Sequence, residues 1–146
     1  MNAREIIDAN RYMVLGTSNA GGVPWASPVW FAQRDHREFF WVSRPEARHS
    51  RNLAERPQLA IAIFDSTVEP YHGQAVYISA TAEIVEEGVE VFSAESLAQG
   101  MAEWTLARVT GPAHLRLYRA TASEMWTLAE GDVRDPVQLP RARRTA

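Results

Sequence analysis

The residues best suited to chemistry lie in the segment 48–52, which reads Arg-His-Ser-Arg-Asn. The surrounding pattern predicts a helix over 45–56, in which Arg48, Arg51 and Asn52 share one face through their i, i+3, i+4 spacing. A helix N-terminus offers free N–H groups and partial positive charge, and an arginine fork matches the oxygens of a phosphate. The segment therefore predicts either a phosphate-type anion site or an ordinary solvated face of a surface helix.

Two residue types that often carry chemistry are missing from the chain. Cysteine is absent, which excludes disulfides, thiolate catalysis and cysteine-bound zinc or iron–sulfur clusters. Lysine is absent as well, so all fifteen basic residues are arginine and Schiff-base chemistry is excluded. A side-chain cation that holds an anion must therefore be an arginine or a histidine.

The four histidines lack the HxxxH and HExxH spacings that bind metal ions. No metal site is predicted, although one loop histidine, His72, remains available as an axial haem ligand. The glycine-rich signatures of dinucleotide and nucleoside-triphosphate sites are absent too. Because residue order alone supports no Ser-His-Asp set, the catalytic residues stay unassigned.

Length and charge limit the classes of protein to which the chain can belong. The chain has 146 residues and a formal net charge of −3, which suits one domain and disfavours nucleic-acid binding. No apolar run reaches the ~18 residues of a transmembrane helix, and the charged N-terminus is unlike a signal peptide. We therefore expect a cytoplasmic protein that binds neither a membrane nor nucleic acid.

The spacing of apolar residues predicts mainly strands joined by short turns, with helices at three places. The predicted strands cover 12–17, 25–33, 38–43, 59–64, 74–86, 114–119 and 125–128, the last as a continuation or a separate strand. The predicted helices cover 3–10, 45–56 and 88–107, with a break at Gly100. This order of elements indicates an antiparallel barrel with helices packed outside it.

Several details of these elements are specific enough to be checked. Ser43 and Glu46 match a capping box for the second helix. Apolar residues on both faces of 59–64 predict a central strand. Residues 130–146 contain little apolar sequence and are expected to form a tail beyond a domain of residues 1–129. The third helix is expected to bury Val91, Ala94, Leu97, Ala98, Met101 and Leu106, and strand 74–86 to bury Val76, Ile78, Ala80, Ala82 and Ile84.

The ordered series of motifs resembles the pyridoxamine-phosphate-oxidase-like, FMN-binding split-barrel family. The segment 48–53 followed by Pro57 is the most telling part. The resemblance implies a six-stranded antiparallel split β-barrel, Greek-key-like, with a few flanking α-helices, which works as a homodimer with two flavin sites at the subunit interface. The segments that carry it are Val14-Leu-Gly-Thr17, Gly22-Val-Pro-Trp-Ala-Ser-Pro-Val-Trp-Phe31, Phe40-Trp-Val-Ser43, Ala47-Arg-His-Ser-Arg-Asn-Leu53, Pro57-Gln-Leu-Ala-Ile-Ala-Ile63 and Gly73-Gln-Ala-Val-Tyr-Ile-Ser79.

The resemblance also implies where the cofactor would lie. Relatives often carry a lysine about where His49 stands, so His49 or Arg48 must take its place. Pro28 lies inside a strand, where a proline marks an edge, a bulge or a gap in pairing. The phosphate candidates near the start of the second helix are Ser43, Arg48, His49, Ser50, Arg51 and Asn52. The candidates for the flavin ring, on the second and third strands, are Ser27, Pro28, Val29, Trp41 and Val42.

Two further residues are predicted to reach the flavin. Gln74 opens the fifth predicted strand, where relatives tend to place a glutamine whose carboxamide reaches the ring. Among the five tryptophans, Trp126 is the one that we expect to contact the ring or the subunit interface. The alternatives are an ordinary polar loop residue for Gln74 and core packing for Trp126.

Three functions follow from the resemblance. The first is an FMN-binding oxidoreductase that acts on an unidentified small molecule by hydride transfer through the flavin. Oxidation of pyridoxamine phosphate itself is disfavoured, because the C-terminal segment lacks an Arg-x-His motif. The second is a reductase that uses a deazaflavin coenzyme on the same fold. The third is a non-enzymatic protein that binds flavin or haem.

Overall fold

The computed structural model describes residues 1–141. Its helices are α1 (Ala3–Ala9), α2 (Arg48–Glu55) and α3 (Val89–Ala98), with a short 3₁₀ turn at Leu106–Arg108. Its strands are β1 (Tyr12–Ser18), β2 (Pro24–Trp30), β3 (Ala32–Arg34), β4 (Glu38–Ser43), β5 (Gln58–Phe64), β6 (Ala75–Val85), β7 (Arg116–Ala129) and β8 (Val133–Val137). All pairings are antiparallel, in the order β2-β1-β5-β6-β7-β4-β3, and β8 pairs with β7.

The sheet closes on itself at Phe31. β2 and β3 form the two ends of the strand order, yet Phe31 alone separates them in the chain. The Phe31 N–H donates to the Arg11 carbonyl over 3.2 Å, and its buried ring lies 6.1 Å from that of Phe39. One bend therefore carries the chain from one end of the sheet to the other, which confirms the predicted antiparallel barrel.

The structure has more strands than predicted because two features were missed. The expected strand 25–33 is divided at Phe31 into β2 and β3. The segment expected as a tail supplies β8, which forms a hairpin with residues 125–129 of β7. Beyond β8, Arg37 Nη1 donates to the Pro140 carbonyl over 2.6 Å. The remaining tail positions 142–146 lie outside the described residues.

The barrel interior is filled by alternate residues of its strands. β5 lies between β1 and β6, as its sequence predicted, and buries Ile61 and Ile63. Its other face is not buried, because Ala60 and Phe64 are exposed. Ile84, expected inside with the rest of its strand, is 53% exposed near the end of β6. Within the described chain, no helix is both long and apolar enough to span a membrane.

The third helix differs from its prediction in length and in its buried side. α3 ends at Ala98, and the expected core residues Leu97, Met101 and Leu106 are exposed. Phe92 is buried instead, since its ring packs edge-on between Trp30 at 4.9 Å and Trp104 at 5.3 Å. This aromatic contact, and not the spacing of the aliphatic residues, sets the orientation of the helix.

Gly88 determines how α3 begins. It is the N-cap residue of α3 and has a φ of +101°, which L-residues with side chains rarely adopt. A Cβ at this position would lie 2.3 Å from Cε1 of the fully buried Phe40 ring. Both the backbone conformation and the space therefore require glycine.

The substitution Gly88→Ala is expected to lower the free energy of unfolding by about 2–5 kcal/mol. About 1–2 kcal/mol comes from the left-handed backbone and about 1–3 kcal/mol from overpacking against Phe40. Urea denaturation measures the loss. Gly100→Ala is the matched control, because Gly100 has a φ of +79° and open space around its Cβ position. Equal losses in the two variants would contradict the overpacking contribution.

Candidate functional site

The site is built around the N-terminus of α2. The predicted capping box of Ser43 and Glu46 is wrong: the N-cap residue is Ala47, and no side chain caps the helix. Ser43 still belongs to β4, where it pairs with Arg116, so it is too early in the chain to cap. By contrast, the N-terminus of α1 carries a complete capping box. The first-turn N–H groups of α2 are therefore left without a side-chain acceptor.

A cavity of about 340 Å³, here called the α2 pocket, lies beside this helix. Arg48, Arg51 and Asn52 line it together, as their spacing predicted, and Glu55 lies at the next turn. The β1–β2 turn, residues 19–21, forms the opposite wall. The Glu55 carboxylate accepts a hydrogen bond from the Ala20 N–H over 3.1 Å and so ties that turn to the helix. Two guanidinium groups, one of them on the first residue of α2, make the pocket suitable for an anion, although the Glu55 carboxylate at the end of the helix also lines it.

Three of the predicted phosphate residues do not line this pocket. His49 and Ser50 are buried on another side of α2, because neighbouring residues on a helix lie about 100° apart. The Ser43 hydroxyl lies 2.9 Å from His49 Nε2. Burial lowers the pKa of His49 below its ordinary value, so its imidazole is neutral at pH 7. Arg48 and Arg51 are therefore the cations of the pocket.

Two side-chain contacts fix the pocket to the barrel, and the sequence analysis did not identify either. The buried Asn52 donates from Nδ2 to Thr17 Oγ1 on β1 over 3.0 Å. The Arg48 guanidinium lies 4.3 Å from the centroid of the Trp25 ring on β2. The only sequence signal for these contacts was the aromatic residue at the start of a strand.

The predicted ring-binding residues lie along a gap in strand pairing. Pairing of β3 with β4 ends at Ala32↔Phe40, whereas β4 continues to Ser43. β2, with Pro28 at its centre, ends the strand order, which agrees with the edge position expected for proline. Within residues 1–141, β2 therefore pairs with β1 alone, and residues 41–43 pair with β7 alone.

The side chain of Trp41 lies inside the barrel, so it leaves only the strand backbone for the ring contact that the resemblance implies. Its indole is fully buried in the barrel and stacks on Tyr118, with centroids 5.5 Å apart. Trp41 can therefore reach a ligand only through its backbone. The half-buried Val42 packs on the outer apolar cluster that contains Phe40 and Phe92.

Gln74 and Trp126 lie in two other cavities. Gln74 lines an open cleft of about 1,010 Å³ between residues 71–74 and 128–132, together with His72. Trp126 lines a groove of about 330 Å³ that also contains Arg37. These two cavities share no lining residue with the α2 pocket. One chain therefore does not bring all predicted site residues together.

The outer face of the sheet carries a fourth hollow, of about 780 Å³, here called the sheet hollow. Trp25 lies at its rim and is 40% exposed. Most residues of the hollow are small, so the sheet surface is open there, and few of its atoms are polar. The small residues on adjacent strands include Gly16, Ala26, Ala60 and Ser79. In residues 1–141, no group of three or more His, Cys, Asp or Glu side chains could hold a metal ion.

Burial of His49 predicts a pH dependence of stability. The folded protein keeps His49 neutral, whereas the unfolded chain takes up a proton below its ordinary pKa of about 6.5. This contribution is fully present above that value and is lost as the pH falls toward the lower folded pKa. His49→Gln, which can still bond Ser43, is expected to reduce the loss of stability between about pH 7.5 and about pH 5, measured by urea denaturation.

The exposed His72 provides the control for this experiment. His72→Gln removes a histidine without changing a buried group, so it is expected to keep the wild-type pH dependence. An unchanged pH dependence in His49→Gln would show that burial of this imidazole does not contribute to acid sensitivity.

The chain is similar in structure to several known proteins. No curated protein sequence matches it. The haem storage protein HutZ from Vibrio cholerae superposes with a TM-score of 0.65 at 21% identity, covering 84% of this chain and 89% of that chain. A haem-binding protein from Mycobacterium smegmatis gives 0.70 at 23% identity, with coverage of 92% and 55%. An F420 reductase gives 0.63 at 17% identity, with coverage of 86% and 96%.

These structural likenesses show a shared fold alone, because each identity lies below 25%. A sequence-family model also covers most of the chain. The model described as pyridoxamine 5'-phosphate oxidase matches residues 2–129. The chain therefore belongs to the pyridoxamine 5'-phosphate oxidase family.

Proposed function

We propose that this protein is an FMN-binding oxidoreductase that acts on a small molecule as a homodimer. The observation that carries the proposal is the α2 pocket, in which two arginines lie beside an uncapped helix N-terminus. The family match over residues 2–129 makes a flavin the first cofactor to consider. In this proposal the α2 pocket holds the FMN phosphate.

The residues present fit a phosphate dianion. Arg48 and Arg51 line the pocket with cations that do not lose their charge in proteins. One carboxylate, that of Glu55, also lines the pocket, and it accepts the Ala20 N–H. Since burial keeps His49 neutral, the two arginines and the first-turn N–H groups of α2 would hold the phosphate without a lysine.

The gap beside β2 would hold the flavin ring. The backbone of Ser27 and Val29 on β2, and of Trp41 and Val42 on β4, would supply N–H and C=O groups to its polar edge. Pro28 has no N–H, so it would contribute only its carbonyl and its ring. FMN, when bound, supplies hydride transfer, and the protein supplies placement and exclusion of water. We assign no side-chain acid or base.

A second copy of the chain would complete the site. Gln74 and Trp126 lie in cavities separate from the α2 pocket, so within one subunit they do not share a ligand bound there. The sheet hollow offers a weakly polar surface of small residues on which two copies could pack closely. A two-fold dimer contact uses the same patch on both subunits. We propose that this contact brings Gln74 and Trp126 of one subunit toward the flavin of the other.

Two other ligands are supported by specific observations. The likeness to an F420 reductase supports a deazaflavin coenzyme on the same fold. The likeness to two haem proteins supports haem, and His72 offers an exposed imidazole in a cleft of about 1,010 Å³. Neither observation concerns the two arginines of the α2 pocket, to which the proposal assigns the FMN phosphate.

The absorbance spectrum of the purified protein separates these ligands. We expect flavin bands that are shifted by the protein, either as purified or after FMN is added, and FMN as the mass of the ligand released by heat. A haem spectrum, or release of a deazaflavin coenzyme, would replace FMN by the respective alternative. A colourless protein that leaves the spectrum of added FMN unchanged would contradict the proposal.

The double substitution Arg48→Ala with Arg51→Ala is expected to weaken FMN binding by about 2–4 kcal/mol. Each charge-assisted hydrogen bond contributes about 1.5–3 kcal/mol, and the two contributions overlap. Flavin fluorescence titration measures the change. Riboflavin, which lacks the phosphate, should lose little affinity.

The matched control is Arg4→Ala with Arg11→Ala. It removes the same charge from two exposed arginines that do not line the α2 pocket. This variant should bind FMN as the wild type does. Equal weakening in both double variants would indicate a general charge effect and would move the phosphate elsewhere.

A further inference from the structure

The α2 pocket and the sheet hollow share a wall made of two side-chain pairs. Trp25 and Thr17 line the sheet hollow, whereas Arg48 and Asn52 line the α2 pocket. Arg48 stacks on Trp25 at 4.3 Å, and Asn52 donates to Thr17 over 3.0 Å. A change on one side of this wall therefore acts directly on residues of the other side.

The Trp25–Arg48 contact is the adjustable part of this wall. Asn52 and Thr17 are both buried, so their hydrogen bond is enclosed. Trp25 is 40% exposed and Arg48 is exposed, so water reaches the stacked pair. Among residues 1–141 no carboxylate forms an ion pair with Arg48. Stacking on the indole is therefore what restricts this long side chain.

We propose that Trp25 is a positioning residue that holds Arg48 ready for the anion and couples anion binding to the pairing of two copies across the sheet hollow. The inference rests on the proposed function, because it takes the FMN phosphate as the anion and a second copy as the partner. Trp25 itself does not line the α2 pocket, so it acts through Arg48.

The coupling is expected to be positive. A second copy seated on the sheet hollow removes water from Trp25, and a cation over an aromatic ring is held more strongly when it is desolvated. Arg48 then loses less freedom when the anion binds, so the anion binds more tightly. Linkage is reciprocal, and the bound anion must strengthen the dimer by the same factor. Couplings of this kind commonly amount to about 5–150-fold.

The dimer dissociation constant with and without FMN tests the coupling. Sedimentation velocity is run at a dilution, with mild urea if needed, at which about half of the wild-type dimers dissociate without ligand. Saturating FMN is expected to lower the dissociation constant at least about fivefold. Riboflavin, which cannot fill the α2 pocket with a phosphate, should produce a much smaller change.

Two variants assign the effect to the aromatic ring. Trp25→Leu keeps an apolar side chain at the sheet hollow but removes the stacking partner of Arg48, so FMN should no longer change dimerisation beyond the riboflavin effect. Trp25→Phe restores an aromatic face and should recover most of the coupling. A merely structural role of Trp25 would change dimer strength without this difference between phenylalanine and leucine.

The remaining outcomes overturn the coupling. The coupling is wrong if FMN binds but strengthens the wild-type and Trp25→Leu dimers equally. It is also wrong if FMN binds and strengthens neither dimer. In both cases the assignment of the phosphate to the α2 pocket survives. If the protein stays monomeric with FMN bound, both the dimer and the coupling are wrong. If FMN does not bind the wild type at all, the proposed cofactor fails together with the coupling.

Discussion

The short pairing between β3 and β4 is the constraint on which the rest of the structure depends. A single run of chain supplies both ends of the sheet, and the bend at Phe31 leaves only three residue pairs between β3 and β4. Three pairs close the barrel at one end of β4. The other end, residues 41–43, is left facing an edge strand that contains a proline. The pairing that encloses the core thus also leaves residues 41–43 without a partner strand on the β3 side.

The α2 pocket follows from the same stretch of chain. β4 ends at Ser43, and α2 starts five residues later without a side-chain cap. An uncapped helix N-terminus has unsatisfied N–H groups that water or an anion must satisfy. The end of β4 without a β3 partner and the uncapped start of α2 are therefore consecutive in the chain. In the proposed function, the ring of FMN would lie beside the first and its phosphate beside the second.

Residue patterns predicted those parts of the fold that depend on local alternation. Strand 74–86 alternates clearly between apolar and polar residues, and strand 59–64 is apolar on both faces; the structure has a strand at both places, with β5 in the middle of the strand order. The predicted buried side of the third helix was wrong because this helix has apolar residues on more than one side. Contact with Trp30 and Trp104 buries Phe92, whereas Leu97 is exposed. At α2 the spacing correctly grouped Arg48 with Arg51. The sequence of consecutive polar residues did not show that His49 lies on a different side of the helix from these arginines. His49 is buried and does not line the pocket.

The separation of Gln74 and Trp126 from the α2 pocket has a different physical reason. Gln74 and Trp126 were expected to share a ligand with α2, yet each lies in its own cavity. A sequence pattern reports on neighbours within a chain and carries no direct information on contacts between copies. Because a fold hosts many functions and a site decides among them, structural likeness to haem and F420 proteins leaves the ligand open. The side chains around the α2 pocket add one requirement, since its two arginines favour a ligand that carries an anionic group.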